Sequence, residues 1–362
     1  MSASPPSAAP EAPRPPTDPR RDALLAWLAG RPGERNWLPQ TLRPASADAS
    51  FRRYFRVAEQ AAQETWIVMD APPEHEDVGR FCDIASVLRG AGLSVPRVLA
   101  MDAGQGFALL SDLGQTTYLE ALLRAREQGA SAHCDALMRD ALAALVRLQG
   151  VDAPWPAYDA ARLQTEMDLF ANWYVARHLG AELSAAEQLG LRKVMDTLLR
   201  NVLAQPVVAV HRDYHSRNLM VLAQPVECGN PGVLDFQDAV RGPITYDLVS
   251  LLRDAYVAWP EQQQIDWAVR YWEMARRAGL PVQPDFGVFY RDFEWMGLQR
   301  QLKVLGIFAR LHHRDGKDQY LADMPRVLEH ARAVAARYDE FAPLLRLLDR
   351  LLGVRHAHSY TF

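Results

Sequence analysis

A chain of 362 residues, 49% of them hydrophobic, is long enough to bury two sizeable cores. Its formal net charge of -4 offers no overall attraction to nucleic acid or to an anionic membrane. The three cysteines, Cys82, Cys134 and Cys228, are too scattered for a disulfide scaffold or a zinc site and fit a reducing compartment. No apolar run approaches the ~18 residues of a membrane span, and no basic-then-apolar leader opens the chain. A monomeric cytoplasmic protein, with neither nucleic acid nor membrane as partner, is expected.

Residues 1–20 are rich in Pro, Ala and Ser, have little to bury, and read as a disordered tail. Asp22 to Leu28 begins an amphipathic helix. Short segments follow: strands over 51–57 and 65–69, then a helix over 77–89 whose Val78, Phe81, Ile84 and Leu88 share one face. Gly90-Ala-Gly92 stops that helix, and 95–99 and 106–110 read as further strands. From Ser111 onward the pattern is mostly helical, over 117–126, 134–148, 163–179, 185–203 and 247–257, with another helix over 293–313. The expected fold is α+β and bilobal: a small β-rich lobe over 21–110 and a large, mainly helical lobe over 111–362.

The chemistry concentrates at the start of the helical lobe. Val207-Val-Ala-Val210 is a short apolar strand leading into His211-Arg-Asp-Tyr-His-Ser-Arg-Asn218, and Asp235 follows in Leu234-Asp-Phe-Gln237. H-x-D-x-x-x-x-N with a later aspartate has the parts of a phosphotransferase catalytic loop. Phosphoryl transfer needs a carboxylate to orient the acceptor hydroxyl and take its proton. It also needs oxygen ligands for the magnesium that neutralises a triphosphate. Asp213 fits the first role, and Asn218 with Asp235 fits the second. Strands over 219–222 and 232–234, around a turn-rich stretch at 224–231, would hold Asn218 and Asp235 at the two ends of one hairpin. A lone H-x-D or a buried His–Asp pair occurs widely without such chemistry, so the joint pattern in its strand context carries the reading.

With these residues the chain resembles the aminoglycoside phosphotransferase/choline kinase-like family, the small-molecule branch of the protein-kinase-like fold, over roughly residues 40–320. Gly242-Pro-Ile-Thr-Tyr-Asp247-Leu is similar to the family segment that opens the helix after the metal site. The resemblance implies ATP and Mg2+ as cofactors, and a structural part for His211 and Asp247 in bracing the loop. Phe51-Arg-Arg-Tyr-Phe-Arg56, Val68-Met-Asp-Ala-Pro-Pro73 and Gln299-Arg-Gln-Leu-Lys-Val-Leu-Gly306 further resemble the bacterial anomeric amino-sugar kinases of cell-wall recycling. That resemblance implies a small-molecule sugar acceptor, N-acetylmuramate or N-acetylglucosamine, phosphorylated at its anomeric hydroxyl. Two alternatives stay open: a kinase for an aminoglycoside or amino alcohol, and a catalytically silent kinase-like binding protein.

One departure from the family pattern bears on the second alternative. Kinase-like folds carry a phosphate-binding lysine on the third strand, but the lysines here are Lys193, Lys303 and Lys317, and Met69 stands near the expected place. None of the three precedes Ser or Thr, which also excludes a Walker A loop. Arg52, Arg53 and Arg56 lie where the phosphate-covering turn is expected, and a guanidinium fork grips phosphate as well as an ammonium does. Arg53 is the expected phosphate ligand. The turn itself, Ala47-Asp-Ala-Ser50, lacks glycine, so Ser50 and backbone amides would supply its contacts. For the base, backbone groups of Leu110 and Asp112 are the expected partners, with Met220 packing under the ring. Acceptor candidates are Arg217, Gln237, Arg300, Lys303 and Arg310. The last three, with Arg314, form a basic stripe that favours an anionic acceptor over a polycation unless it is only a solvated face.

Overall fold

The structure, a computed structural model, describes residues 18–30, 37–46, 51–60, 64–223 and 228–353. The tail to residue 17, the Ala47–Ser50 turn with Ser50, and positions 224–227 of the expected hairpin turn lie outside the described residues. The chain divides into two compact units, and the expected bilobal α+β class holds.

The first unit takes in residues up to Val78 and again Val98–Asp112. It opens with α1 (Pro19–Ala29), which begins inside the stretch expected to be tail. Pro19 has no N–H to lose at a first-turn position, and the Asp18 carboxylate caps the helix by accepting from Arg21 N. Strands β1 (Trp37–Ser46), β2 (Arg53–Glu59), β3 (Thr65–Asp70), β4 (Val98–Asp102) and β5 (Phe107–Ser111) form one antiparallel sheet in the order β1-β2-β3-β5-β4. The strand β1 was not expected. It carries Pro39 and Pro44, which cannot donate to a ladder, and it sits at the sheet edge with two register irregularities, where proline is tolerated. Leu24 and Leu28 of α1 pack with Val57, Val68 and Phe107 as the core of this unit, each fully or almost fully buried. Gly106 lets the hairpin close: a Cβ there would fall 1.9 Å from Ala71 O, and its φ is +75°.

The second unit comprises residues 79–97 and Leu113 onward. Helix α2 (Val78–Gly90) therefore belongs almost wholly here, rather than to the small lobe spanning 21–110. Its Phe81 stacks on Phe236 at 4.8 Å, and Arg80 donates to Gln237 O and Ala239 O. Then come α3 (Tyr118–Glu127), α4 (Ser131–Gln149), α5 (Ala160–Leu169) and α6 (Ala185–Ala204). Thr117 and Glu120 form a reciprocal capping box at the start of α3, and Ser184 with Glu187 another at α6. Between α5 and α6 the chain widens into π-helical turns over Phe170–His178, along which Phe170 stacks on Tyr174 and Tyr174 on His178.

Strand β6 (Val207–Val210) pairs with β9 (Val240–Pro243), and the short β7 (Leu219–Met220) with β8 (Gly232–Val233). The helices α7 (Tyr246–Leu252), α8 (Glu261–Arg277), α9 (Phe286–Asp315), α10 (Met324–Arg337) and α11 (Ala342–Leu351) complete the unit. Over its 30 residues α9 runs through the main apolar core. At Gly306 it meets α5 so closely that a Cβ would lie 2.4 Å from the Leu169 carbonyl carbon. It ends where Gly316, at φ 65°, turns back and Lys317 N donates to Leu311 O. Among the described residues no helix is long and apolar enough to cross a membrane.

Candidate active site

The loop after β6 is built around Asp247. This fully buried carboxylate, in the first turn of α7, accepts from His211 N at 2.6 Å and Arg212 N at 3.0 Å. Burial pushes its pKa up to about 7, against the two N–H donors that favour the ionised form. These bonds hold Arg212 at φ 79°, a left-handed conformation costing about 1 kcal/mol or more for a side chain of its size. The His211 ring is buried and neutral, its pKa lowered to about 4 by burial. Its Nε2 lies 2.9 Å from Leu234 O, which fixes it as donor and leaves Nδ1 to accept from Asp213 N at 3.2 Å.

So placed, Asp213, Asn218 and Asp235 come together. Asn218 Nδ2 donates to Asp213 O at 3.0 Å and to Asp235 Oδ2 at 3.2 Å, while Leu234 N donates to Asn218 O at 2.9 Å. Asp235, also left-handed at φ 61°, accepts from Gln237 Nε2 at 2.6 Å. Gln237 thus supports Asp235 through its amide nitrogen. Magnesium typically takes one or two hard oxygen ligands from protein and completes its shell with phosphate and water. The Asp235 carboxylate and the Asn218 carbonyl oxygen, adjacent on the two ends of the β7–β8 hairpin, fit that donor set.

Around Asp213 lies a cluster that the sequence reading only partly anticipated. Arg300 Nη1 donates to Arg212 O and to the Tyr246 hydroxyl, both at 2.9 Å, and its Nη2 is 3.8 Å from Asp213 Oδ1. Lys303 Nζ donates to the same hydroxyl at 2.9 Å and pairs with Glu166 at 3.1 Å. Arg212 pairs with Glu166 at 2.6 Å, and the Tyr158 hydroxyl donates to the other Glu166 oxygen. Three cations therefore face two carboxylates. Burial raises the Asp213 pKa, but Lys303, Arg300, His215 and Arg212 outweigh it and bring the group to about 2. The side chain keeps 40% of its surface open, so this ionised carboxylate is reachable.

Asp213, His215, Arg300 and Lys303 line a cavity of about 140 Å³, together with Tyr256, Val304 and Phe308 among others. Arg300 and Lys303 are buried beside the loop from His211 to Asn218, not on a solvated face. The basic stripe divides there: Arg310 is not among the cavity-lining residues, and Arg314 pairs with Asp315 at the surface. Arg217 lies 3.6 Å above the Tyr256 ring, with Asp323 at 3.9 Å, and so steadies a cavity wall. Glu166, Tyr158 and Tyr246 were missed, because neither tyrosines nor a helical glutamate far off in sequence carry a spacing signal.

In the first unit the three arginines face carboxylates. Arg53 donates to Asp70 at 2.6 and 2.9 Å and to Asp18 at 2.5 and 3.2 Å. Arg56 donates to Asp112 at 2.5 and 3.0 Å, and Arg52 is 3.0 Å from Glu76. The fork of Arg53 is occupied twice over, so a phosphate grip by it would require both pairs to open. The Asp112 carboxylate also accepts from Thr65 Oγ1. Leu110 sits within the ladder opposite Ile67 and Val98, and Met220 is buried in β7.

Residues 41–282 match the model of the phosphotransferase enzyme family. The chain is 49% identical over 315 residues to the N-acetylmuramate/N-acetylglucosamine kinase of Pseudomonas aeruginosa, covering 86% of this chain and 89% of that one. It is 48% identical to the Neisseria meningitidis protein of the same name, covering 88% and 95%. In fold it is similar to an ethanolamine kinase from Plasmodium vivax, with a TM-score of 0.56, 10% identity and coverage of 86% and 84%. An ADP-bound aminoglycoside phosphotransferase gives a TM-score of 0.53 at 14% identity, covering 90% and 99%. The family model and the relatives agree: the chain belongs to the phosphotransferase enzyme family.

Proposed function

We propose that the protein is a sugar kinase of the cytoplasm, transferring the terminal phosphoryl group of ATP to the anomeric hydroxyl of N-acetylmuramate or N-acetylglucosamine. The sugar 1-phosphate would return cell-wall fragments to nucleotide-sugar synthesis. The carrying observation is Asp213, a reachable carboxylate that lines a cavity beside Arg300 and Lys303, whose charges lower its pKa to about 2. Such a carboxylate is a weak base: it aligns a hydroxyl and accepts its proton only late, as the loose transition state of phosphoryl transfer allows. An anomeric hydroxyl, more acidic than an ordinary alcohol, suits so weak a base. The relatives' names supply the acceptor class.

Asp213 would accept the hydrogen bond of the acceptor hydroxyl, and His211 would fix its backbone so that the oxygens face the cavity. Asn218 and Asp235 would hold magnesium, which when bound neutralises charge on the nucleotide phosphates. Arg300, tied to Arg212 O and the Tyr246 hydroxyl, keeps positive charge beside Asp213. The excess of cations opposes a polycationic aminoglycoside and tolerates the carboxylate of N-acetylmuramate. ADP release with magnesium and ATP, across N-acetylmuramate, N-acetylglucosamine, glucose, choline and kanamycin, tests this. Turnover on the two acetamido sugars with an acid-labile 1-phosphate product is expected. Phosphate appearing at another hydroxyl, or turnover on choline or kanamycin alone, would refute it.

A further inference from the structure

One wall of the cavity has no part in the chemistry above. Gln301, 3% exposed, lines it, and neither its Oε1 nor its Nε2 has a hydrogen-bond partner. Arg253 lines the same cavity. Its Nε and Nη2 donate to Gln264 and Glu294, and its guanidinium also lies beside the Tyr290 hydroxyl. The two meet over Gly297, where a Cβ would lie 3.2 Å from Arg253 Nη1 and 3.6 Å from Gln301 Oε1. Gln299 also lacks partners but is not on the cavity wall. Both ends of this buried amide lack a protein partner and face the cavity, which is unusual for a buried polar group.

We propose that Gln301 reads the acetamido group of the acceptor. An acetamido group has one carbonyl acceptor and one N–H donor, the complement of a carboxamide side chain. Gln301 Nε2 donates to the carbonyl, Gln301 Oε1 accepts from the N–H, and Arg253 Nη1 gives the carbonyl a second donor. The acetyl methyl faces apolar wall such as Val304 and Ile307. A hydroxyl in place of the acetamido group leaves part of the array unmade, and a free amine sets a cation against Arg253. The proposal rests on the acetamido-sugar reading and makes Gln301 a specificity-determining residue.

The test compares wild type with Gln301→Leu and Gln301→Glu on N-acetylglucosamine, glucose and glucosamine, with melting curves taken without acceptor. In the Leu variant the preference for N-acetylglucosamine over glucose, as a ratio of kcat/KM, should fall about ten- to a hundredfold. The loss should sit in the acceptor KM, with the KM for ATP unmoved. Its melting temperature should match or exceed that of wild type, since an unsatisfied polar group has been removed. Gln301→Glu, which keeps acceptor oxygens but loses the donor, should lose the same preference. A Leu variant that keeps its selectivity overturns the proposal while the sugar-kinase reading stands. So does one that melts lower and fails on every sugar, because Gln301 would then serve the fold. A wild type that phosphorylates no acetamido sugar overturns both.

Discussion

The sheet unit and the surroundings of Asp213 treat buried charge in opposite ways. In the sheet unit Asp70, fully buried at the end of β3, is held between Arg20 and Arg53, and Arg53 reaches on to Asp18. Arg56 and Asp112 close another pair nearby. Across the β2–β3 ladder Arg53 stands directly opposite Asp70, so the pairing is written into the strand register. Around Asp213 in the helical unit, cations exceed carboxylates, and Gln301 keeps both polar atoms without a protein partner. Cations matched one to one stabilise a fold. Cations and amides left in surplus around a cavity suit a ligand that brings the missing partners.

The comparison would break most visibly at Asp213. Asp213→Asn should leave nucleotide binding in place and lower turnover by at least about a hundredfold, measured as steady-state ADP release. Wild-type-like turnover would move the reacting centre elsewhere. In the sheet unit, Asp70→Ala should act on stability instead. It strips two arginines of their shared partner and should lower unfolding free energy by about 2–3 kcal/mol in denaturant titration, with catalysis retained at low temperature. Lost catalysis in a variant of unchanged stability would contradict this assignment.

Two finer tests sharpen the contrast. Lys303 is the foremost of the charges that lower the Asp213 pKa, so Lys303→Met should raise it. The ionised, active form exists above that pKa. The acid limb of the pH–rate profile should therefore move to higher pH, by about one unit on the usual scale for a nearby opposite charge. A limb that stays put, or moves down, would remove Lys303 from the electrostatics of the site. Smallest should be Arg53→Ala: a loss of about 1 kcal/mol in stability, because its side chain is partly exposed, and little change in the KM for ATP. A tenfold rise in that KM with unaltered melting would restore Arg53 to the phosphates.

The parts of this molecule that were legible in its sequence are those governed by local spacing. That Asn218 and Asp235 meet could be read because a strand, a turn and a strand lie close together in the chain between them. The helices could be read because apolar faces recur at helical period, although α7 ends at Leu252 rather than 257. Strand β1 was hidden because its prolines argue against a strand and only its place at the sheet edge makes them harmless. The partners of Arg53 were hidden for another reason: Asp18 lies in a stretch that composition assigned to the tail. Glu166 and Tyr246 reach Lys303 only through the packing of α5 and α7 on α9, a tertiary fact without a local signature.

The wide turns over Phe170–His178 have a consequence for chain length. Along them Phe170, Tyr174 and His178 form one stacked column, and His312 and His313 at the end of α9 lie against the last of them. A π-helical turn holds about one residue more than an α-helical turn over the same rise. Deleting a single residue here would let the segment rewind as ordinary α-helix and continue α5 without interruption. Everything after the deletion would then rotate by about 100° about the helix axis, the angle per residue of an α-helix. His178 would leave the column and its histidine neighbours. The segment should therefore accept changes of side chain far more readily than a change in its number of residues.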